Sequence, residues 1–370
     1  MDNTFKYADE LGPLKIIHVH EPKIGLKGIL VVDNVVAGPS IGGLRMATDV
    51  SLDECFRLAR AMTMKNAAAG LAHGGGKSVL FGDPYMPIEK KEQLIRCFAA
   101  ALKGEEHYIF GPDMGTDEVC MAWVKDEIGR SVGLPPEVGG IPLDVIGATG
   151  FGISVAADIA IGYCDFEIKG ARIVVQGFGS VGKHAARFLA EKGALLVGAA
   201  DSKGSIYNAG GIDVQGLIAL KEEGKSVGDY KDGIKGDKEA VIDMESDIWI
   251  PAARPDVIDD DNVGRLKTKL IISGANIPIT HSAEKTLHEK GVLCVPDFIA
   301  NAGGVICAAV EYHEGNETIA FQTIEEKIHT NTKEVLERMD KEKVLPRQAA
   351  VELATDRVKR AMTYKRWNVF

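Results

Sequence analysis

The sequence predicts an α/β protein of two domains, and three observations support this prediction. The chain has 370 residues, more than a single small core needs at roughly 150 residues per domain. Runs rich in β-branched residues alternate with helical patterns along most of the chain. One such run, residues 171–176, leads through a glycine motif directly into a helical pattern, which is the order of a nucleotide-binding fold.

The glycine motif after residue 176 is the strongest indication of a ligand. Its glycines permit a tight turn and the close approach of a pyrophosphate, whose charge the following helix N-terminus favours. The next predicted strand ends at Asp201, at the distance expected for an acid that binds the adenosine ribose hydroxyls. We therefore predict a Rossmann-type domain that binds NAD; Asp201 would repel a 2′-phosphate, although nearby Lys203 leaves NADP open. The residues of the motif expected at the cofactor are Gly177, Phe178, Gly179, Ser180, Val181 and Gly182.

Two lysines in residues 64–79 mark the predicted chemical centre. Lys65 lies near the end of a predicted helix, and Lys77 follows a run that we interpret as a glycine loop, residues 74–76. Two nearby ammonium groups repel each other, and with partial burial this lowers the pKa of one lysine enough for it to accept a proton. The helix dipole favours charge on Lys65, so we expect Lys77 to be neutral. The alternative is a flexible turn between two solvated lysines.

Further candidates are a pair of glycines, an aspartate and an asparagine. Gly42 and Gly43 could bring backbone amides to a carboxylate, although a turn without a ligand would also explain them. Asp113 follows a predicted strand, where α/β proteins usually keep functional groups, but an Asx-turn or a helix cap is the alternative. Asn301 begins an apolar helix and either points its amide into a cleft or caps that helix.

Composition and charge argue against several classes of protein. The net charge of −10 argues against nucleic acid as a partner, and no apolar run approaches the ~20 residues that span a bilayer. The first residues lack the pattern of a signal peptide, so we expect a cytoplasmic protein. The six cysteines are scattered without metal-ligand spacing, so we expect free thiols and no metal.

These motifs resemble the glutamate, leucine, phenylalanine and valine dehydrogenase superfamily over nearly the whole chain. The resemblance implies an N-terminal substrate-binding domain with a mixed sheet, residues 1–145, and a NAD-binding domain, residues 146–334, with the reaction in a cleft between them. It also implies that the C-terminal helix, about residues 335–370, packs on the first domain, and that the protein is a homo-oligomer, a hexamer or an octamer. The matching segments are GGLRM at 42–46, MTMKN at 62–66, GGGK at 74–77, PDMGT at 112–116, ATG at 148–150, the Gly177 motif, GAN at 274–276 and NAGGV at 301–305.

The resemblance implies reversible oxidative deamination of an L-amino acid to a 2-oxo acid and ammonia. Lys65, aided by the backbone of Gly42 and Gly43, would hold the α-carboxylate. Lys77 would activate a water molecule, and Asp113 would exchange protons with the amino nitrogen. The resemblance places Thr149 and Asn276 on the nicotinamide side and Asn301 on the substrate side. Ala252 is a further cofactor candidate, because it ends a predicted strand where a βα loop would lie over a nicotinamide.

Two positions favour an apolar substrate. In the glutamate enzymes, a lysine before the paired glycines and a serine after NAGGV hold the side-chain carboxylate; here these positions are Ile41 and Ala308. An unpaired carboxylate in an apolar pocket costs several kcal/mol, so we expect a branched-chain or aromatic amino acid. The alternative is glutamate, because GGGK, GATGFG and PAA are closer to the glutamate branch. Arg254 and His73 depart from the family pattern, and the sequence does not explain them.

Two other classes of protein share features with this sequence. A catalytically silent dinucleotide-binding regulator would not need Lys65, Lys77 and Asp113, and all three are present. A 2-hydroxy-acid dehydrogenase also uses a Rossmann domain, but its chemistry would rest on a histidine base with an arginine clamp. No histidine of this chain stands in a comparable motif.

Overall fold

The computed structural model of the chain describes residues 5–367, which form two compact units. The first unit contains the chain as far as Pro142, with Val305–Ala320 and the residues from Val351 onward. The second unit contains Leu143–Gly304 and Phe321–Ala350. No helix among the described residues is both long and apolar enough to cross a membrane.

The units differ from the predicted domain bounds in two places. Residues 305–320 belong to the first unit, although we assigned them to the nucleotide domain. The last part of the chain joins the first unit from Val351, not from about residue 335. The end of the predicted C-terminal helix, residues 368–370, lies outside the described residues.

A mixed sheet forms the centre of the first unit. Its strands are β1 (Lys15–Glu21), β2 (Leu26–Asn34), β3 (Ser40–Ala47), β4 (Gly74–Phe81) and β5 (Tyr108–Pro112). They lie in the order β1-β2-β4-β3-β5. β2 is antiparallel to β1 and β4, whereas β3 is parallel to β4 and β5. The predicted mixed α/β architecture is confirmed.

Three helices cover the two faces of this sheet: α1 (Leu52–Ala68), α2 (Ile88–Ala101) and α3 (Glu118–Ile128). Ser51 caps α1 by accepting a hydrogen bond from the Glu54 N–H at 3.1 Å, which satisfies one of the free amides of the helix start. Side chains of β2 alternate between the faces: Leu30 packs with α2 and α3, and Val31 packs with α1.

Strands β3 and β4 were not predicted, because both contain glycines that we interpreted as turns. In the structure these glycines permit close packing of the backbone. A Cβ at Gly75 would lie 1.9 Å from the nitrogen of Thr63 on α1, and a Cβ at Gly42 would lie 1.8 Å from the Gly76 carbonyl oxygen. The prediction of a loop at residues 74–76 was therefore wrong: a side chain there would push helix and sheet apart.

The second unit contains a seven-stranded sheet in the order β12-β11-β10-β6-β7-β8-β9. Its strands are β6 (Arg172–Gln176), β7 (Leu195–Ala200), β8 (Ser205–Tyr207), β9 (Ile234–Gly236), β10 (Ile248–Pro251), β11 (Leu270–Ile272) and β12 (Leu293–Val295). The five strands from β12 to β7 are parallel, and β8 and β9 add an antiparallel edge. The strand order reverses at β6, where sheets of this type bind their ligands.

Residues 143–304 of this unit contain six α-helices, in chain order α4 (Leu143–Ile146), α5 (Ala148–Ala160), α6 (Ser180–Glu191), α7 (Val214–Glu222), α8 (His281–Glu289) and α9 (Asp297–Ala300). Three more end the chain: α10 (Gly303–Tyr312), α11 (Glu317–Glu342) and α12 (Pro346–Met362). β6, the glycine motif and α6 form the strand, turn and helix that the sequence predicts.

Candidate functional sites

Three charged side chains meet on one face of the first unit's sheet. The Lys77 Nζ on β4 lies 3.1 Å from Asp113 Oδ1, just beyond the end of β5. Arg45 on β3, the strand between them, places its Nε 2.7 Å from Asp113 Oδ2. Arg45 also pairs with Glu54 of α1 at 2.5 Å. The predicted candidates Lys77 and Asp113 are thus brought into direct contact, and Arg45 orients the carboxylate.

Sequence reasoning gave Arg45 no role in this site, although the strand pattern contains a signal for it. Alternate residues of a strand point to the same face, so Ile41, Gly43 and Arg45 share one face of β3. Gly43 leaves room there: a Cβ on it would lie 2.8 Å from the Cβ of Asp113 and 3.0 Å from Lys77 Nζ.

The pKa of Lys77 is lowered, and the causes differ from those expected. The side chain is 4% exposed, and this burial disfavours the ammonium form. Asp113 acts in the opposite direction, and Arg45 adds a further lowering of the Lys77 pKa. The principal repelling cation is therefore Arg45, where we had expected Lys65. Burial alone would raise the pKa of Asp113, but Lys77 and Arg45 together hold it below its usual value.

Lys65 lies in the last turn of α1, as the sequence predicts. Its ammonium is favoured there by the partial negative charge of the helix C-terminus. The next residue, Asn66, is buried and donates from Nδ2 to the Gly74 carbonyl oxygen at 2.7 Å. This bond fixes the helix end beside the start of the strand that carries Lys77.

Ile41 and Ala308 are both buried in the first unit, with 4% and 8% of their surfaces exposed. His73, which we could not explain from the sequence, is also buried there. Its Nδ1 donates to the Pro39 carbonyl oxygen at 3.0 Å, and its Nε2 lies 3.1 Å from Nε2 of His313. Burial lowers the pKa of His73, and the neighbouring His313 lowers it further. The charged form of His73 is therefore disfavoured, which argues against this residue as the cation for an acidic substrate.

The glycine motif of the second unit forms an open cradle at the N-terminus of α6. Gly177 has φ +97°, a conformation that favours glycine. A Cβ at Gly182 would lie 2.0 Å from the Gly177 carbonyl oxygen, whereas a Cβ at Gly179 would meet nothing within 4 Å. The ring of Phe178 is buried, so this residue offers only its backbone. The open space at Gly179 lies beside the backbone N–H groups at the start of α6, and such a place suits a pyrophosphate.

Asp201, which we expected to bind the ribose, has a buried carboxylate that is already hydrogen-bonded to other residues. It follows β7, and its side chain is 8% exposed. Lys221 Nζ lies 2.6 Å from Oδ2, and Ser226 Oγ lies 2.8 Å from Oδ1. Although burial opposes the change, these donors and nearby backbone amides lower the Asp201 pKa to about 2. The sequence gave no indication of these partners, because they lie twenty or more residues further along the chain.

The remaining candidates of the second unit lie on three segments. Thr149 is half-buried in the first turn of α5, and Ala252 follows β10. The structure brings Asn276 and Asn301 together: Asn301 Nδ2 lies 3.0 Å from Asn276 Oδ1 and 3.2 Å from the Gly274 carbonyl oxygen. The amide of Asn301 therefore holds the loop that carries Asn276.

Comparison with known proteins agrees with this architecture. Residues 139–366 match the family model "Glutamate/Leucine/Phenylalanine/Valine dehydrogenase", and residues 13–130 match "Glu/Leu/Phe/Val dehydrogenase, dimerisation domain". The chain is 36% identical over 357 residues to a glutamate dehydrogenase of Aeropyrum pernix, covering 90% of this chain and 85% of that one. It is 36% identical over 366 residues to an NADP(+)-dependent glutamate dehydrogenase of Pyrobaculum calidifontis, covering 92% and 87%.

A solved structure shows the same fold. The hetero-hexameric glutamate dehydrogenase of Thermus thermophilus, in its leucine-bound form, superposes with a TM-score of 0.83 at 26% sequence identity. The match covers 98% of this chain and 91% of the other.

The fold is that of the two-domain amino acid dehydrogenases, and the chain belongs to the glutamate, leucine, phenylalanine and valine dehydrogenase family. It is an NAD(P)-dependent amino acid dehydrogenase, an oxidoreductase that acts on CH–NH2 donors. The names of the relatives favour glutamate, our alternative substrate, over the apolar amino acid that we placed first.

Proposed function

We propose that this enzyme catalyses the reversible oxidative deamination of an apolar L-amino acid with a branched or aromatic side chain. One observation carries the proposal: Ile41 and Ala308, at the positions where the family resemblance places partners of a glutamate side chain, are apolar and buried. A carboxylate placed against them would lose its hydration without gaining a hydrogen bond. His73 is a poor replacement for the missing cation, because burial and the neighbouring His313 lower its pKa.

In this proposal, three side chains act on the substrate and a fourth positions one of them. Lys65 binds the α-carboxylate of the substrate, with the Gly42 and Gly43 backbone beside it. Lys77, made less basic by burial, accepts a proton from water at Nζ as the water attacks the iminium carbon. Asp113 exchanges a proton with the substrate nitrogen, and Arg45 keeps its carboxylate in position.

The bound dinucleotide supplies the hydride acceptor in deamination and the donor in the reverse direction. In the proposal, residues 177–182 bind its pyrophosphate through backbone amides at the start of α6. Thr149, Ala252 and Asn276 line its nicotinamide side. Asn301 lies on the substrate side, and its hydrogen bond to Asn276 holds that residue in place.

Glutamate is the second candidate, and the names of relatives with 36% identity favour it. A glutamate enzyme would need a cation for the side-chain carboxylate. Arg254 in the second unit is exposed, and it is the residue to substitute first if 2-oxoglutarate proves to be the substrate.

We also propose that the protein is a homo-oligomer, a hexamer or an octamer. The match of residues 13–130 to a dimerisation-domain model supports an assembly, and the six subunits of the hetero-hexameric Thermus thermophilus enzyme support the smaller number. Light scattering on the purified protein measures the mass directly, and a monomer would contradict this part of the proposal.

The substrate is tested by reductive amination. NADH and NADPH oxidation are followed with ammonia and 4-methyl-2-oxopentanoate, 3-methyl-2-oxobutanoate, phenylpyruvate or 2-oxoglutarate. We expect turnover of at least one branched or aromatic acid, with 2-oxoglutarate the poorest of the four. Turnover of 2-oxoglutarate alone would establish the second candidate and refute the first.

A further inference from the structure

Asp201 occupies the position where a dinucleotide-binding domain usually keeps a free acid. It follows directly after β7, the strand next to β6 and its glycine motif. A free carboxylate at this position accepts hydrogen bonds from the ribose hydroxyls and repels a 2′-phosphate, which favours NAD over NADP. The preference therefore depends on whether the oxygens of Asp201 are free.

The structure shows that both oxygens of Asp201 are fully used. Oδ2 accepts from Lys221 Nζ at 2.6 Å and from the Val227 N–H at 2.9 Å. Oδ1 accepts from Ser226 Oγ at 2.8 Å and from the backbone N–H groups of Lys203 at 2.9 Å and Gly204 at 3.2 Å. An ionised carboxylate offers about four lone-pair sites, and five donors already occupy them. No acceptor remains for a ribose hydroxyl.

The charges around this turn also differ from those of a NAD site. Lys221 neutralises Asp201 by a direct ion pair. Lys203, two residues further along, is exposed, and no ion pair of its ammonium is found among residues 5–367. Ser202 beside it is exposed as well. A hydroxyl and an ammonium on one tight turn suit a phosphate dianion, which accepts charge-assisted hydrogen bonds.

The segment that holds Asp201 is itself rigidly built. Ser226 and Asp229 form a capping box at the start of a short 3₁₀ turn: Asp229 Oδ2 accepts the Ser226 N–H at 2.9 Å. Ser226 is buried. Asp229 is thus engaged with the backbone, and the hydroxyl of Ser226 is directed to Asp201.

We propose that Lys221 and Ser226 withdraw Asp201 from ribose binding, and that Ser202 and Lys203 bind the 2′-phosphate of NADP. Lys221 and Ser226 are then positioning residues that set the coenzyme preference, and NADPH binds more tightly than NADH. The inference rests on the dinucleotide site of the proposed function but not on the identity of the amino acid.

The test is equilibrium binding of NADH and NADPH to the full-length protein, followed by nicotinamide fluorescence without amino acid, oxo acid or ammonia. The wild-type protein should bind NADPH about tenfold more tightly or better, the value of one charge-assisted hydrogen bond. Lys203→Met should weaken NADPH about tenfold and leave NADH within about twofold. Adenosine 2′,5′-bisphosphate should displace either coenzyme more effectively than 5′-AMP.

Lys221→Met removes the cation that neutralises Asp201, so the carboxylate should repel the 2′-phosphate and NADPH should bind more weakly than in the wild type, with NADH less affected. Ser226→Ala removes one donor to Asp201 but no charge, so it should weaken NADPH by a smaller factor. Lys225→Met is the matched control, because Lys225 lies in the same segment but pairs with Glu223; it should change neither affinity.

Tighter binding of NADH than NADPH by the wild type would overturn the proposal. An unchanged NADPH affinity in Lys203→Met would also overturn it, and neither result depends on the folding of the Lys221 variant. Binding of neither coenzyme would overturn the dinucleotide site itself, whereas a wrong amino acid substrate would leave these measurements unaffected.

Discussion

Lys77 and Asp113 face each other across a glycine. Lys77 Nζ lies 3.1 Å from Asp113 Oδ1, and Gly43 lies on β3, the strand between them. A Cβ on Gly43 would lie 3.0 Å from the lysine nitrogen and 2.8 Å from the Cβ of the aspartate. The pair depends on residue 43 having no side chain, because a methyl group there would displace both partners.

Gly43→Ala is therefore expected to reduce kcat/KM by about 100-fold, since a displacement of about 1 Å in a catalytic site can cost that much. Gly111→Ala on the neighbouring β5 is the control, because a Cβ there would have only ordinary contacts, the nearest at 3.6 Å. Steady-state kinetics with the substrate identified by the oxo-acid panel would compare the two. Equal activity of both variants would show that the Lys77–Asp113 geometry does not limit the reaction.

Much of the fold follows from local patterns in the sequence. The hydrophobic run before Gly177, the glycine spacing and the helical pattern after it predict β6, its turn and α6, because each signal lies within a few residues of the next. The capping residue Ser51 likewise predicts the start of α1. The apolar residues that follow it at helical spacing predict that Lys65 lies in the last turn of this helix.

The remaining features depend on contacts that are distant in the chain. The glycines of β3 and β4 are typical of turns, so the sequence predicted turns at both segments. In the structure these glycines are needed for packing against Thr63 and for the close approach of neighbouring strands. Two partners of Asp201, Lys221 and Ser226, lie on α7 and in the turn after it. Residues close to Asp201 in the sequence therefore gave no sign that its carboxylate is already hydrogen-bonded. The sequence predicts a partly buried Lys77 with a lowered pKa, but its neighbours in the chain do not reveal that the cation that lowers this pKa is Arg45.

The acid limb of the pH profile should depend on Arg45. In the proposed function Lys77 acts in its neutral form, and Arg45 lowers the Lys77 pKa. Removal of this cation raises that pKa, so deprotonation of Lys77 requires a higher pH. Arg45→Met should therefore move the acid limb of kcat/KM for deamination upward by about half to one unit. Arg57→Met removes an exposed arginine of α1 that pairs with Asp53 and should leave the profile unchanged. A downward shift for Arg45→Met would contradict the charge assignment.

The packing role of the β4 glycines predicts a large loss of stability. Gly75→Ala places a Cβ 1.9 Å from the Thr63 nitrogen, and such overpacking costs about 1–3 kcal/mol or more. The expected fall in Tm is about 5 °C or more for a unit of this size. Gly104→Ala, where a Cβ would meet nothing within 4 Å, should leave Tm nearly unchanged in differential scanning calorimetry. Equal Tm values would restore the flexible-loop interpretation.

Glu311 on α10 should stabilise the first unit through two backbone groups. Its buried carboxylate accepts the N–H of Leu134 at 3.2 Å and the N–H of Ile141 at 2.8 Å. Glu311→Ala leaves both donors unpaired and should lower the free energy of unfolding by about 2–4 kcal/mol, whereas Glu311→Gln keeps one acceptor and should lose about half as much. Urea denaturation measures both. A Gln variant as unstable as the Ala variant would argue against these bonds as the source of stability.

In the proposed function, the apolar residues at positions 41 and 308 set the substrate. The most direct test is the ratio of kcat/KM for 4-methyl-2-oxopentanoate to that for 2-oxoglutarate, measured side by side in the wild type and in Ile41→Lys. We expect a wild-type ratio well above one. The buried lysine should lower the ratio by at least about tenfold, the effect of one added ion-paired hydrogen bond to the acidic substrate. A wild-type ratio below one, unchanged by the substitution, would contradict the account and identify a glutamate enzyme whose carboxylate partner lies elsewhere.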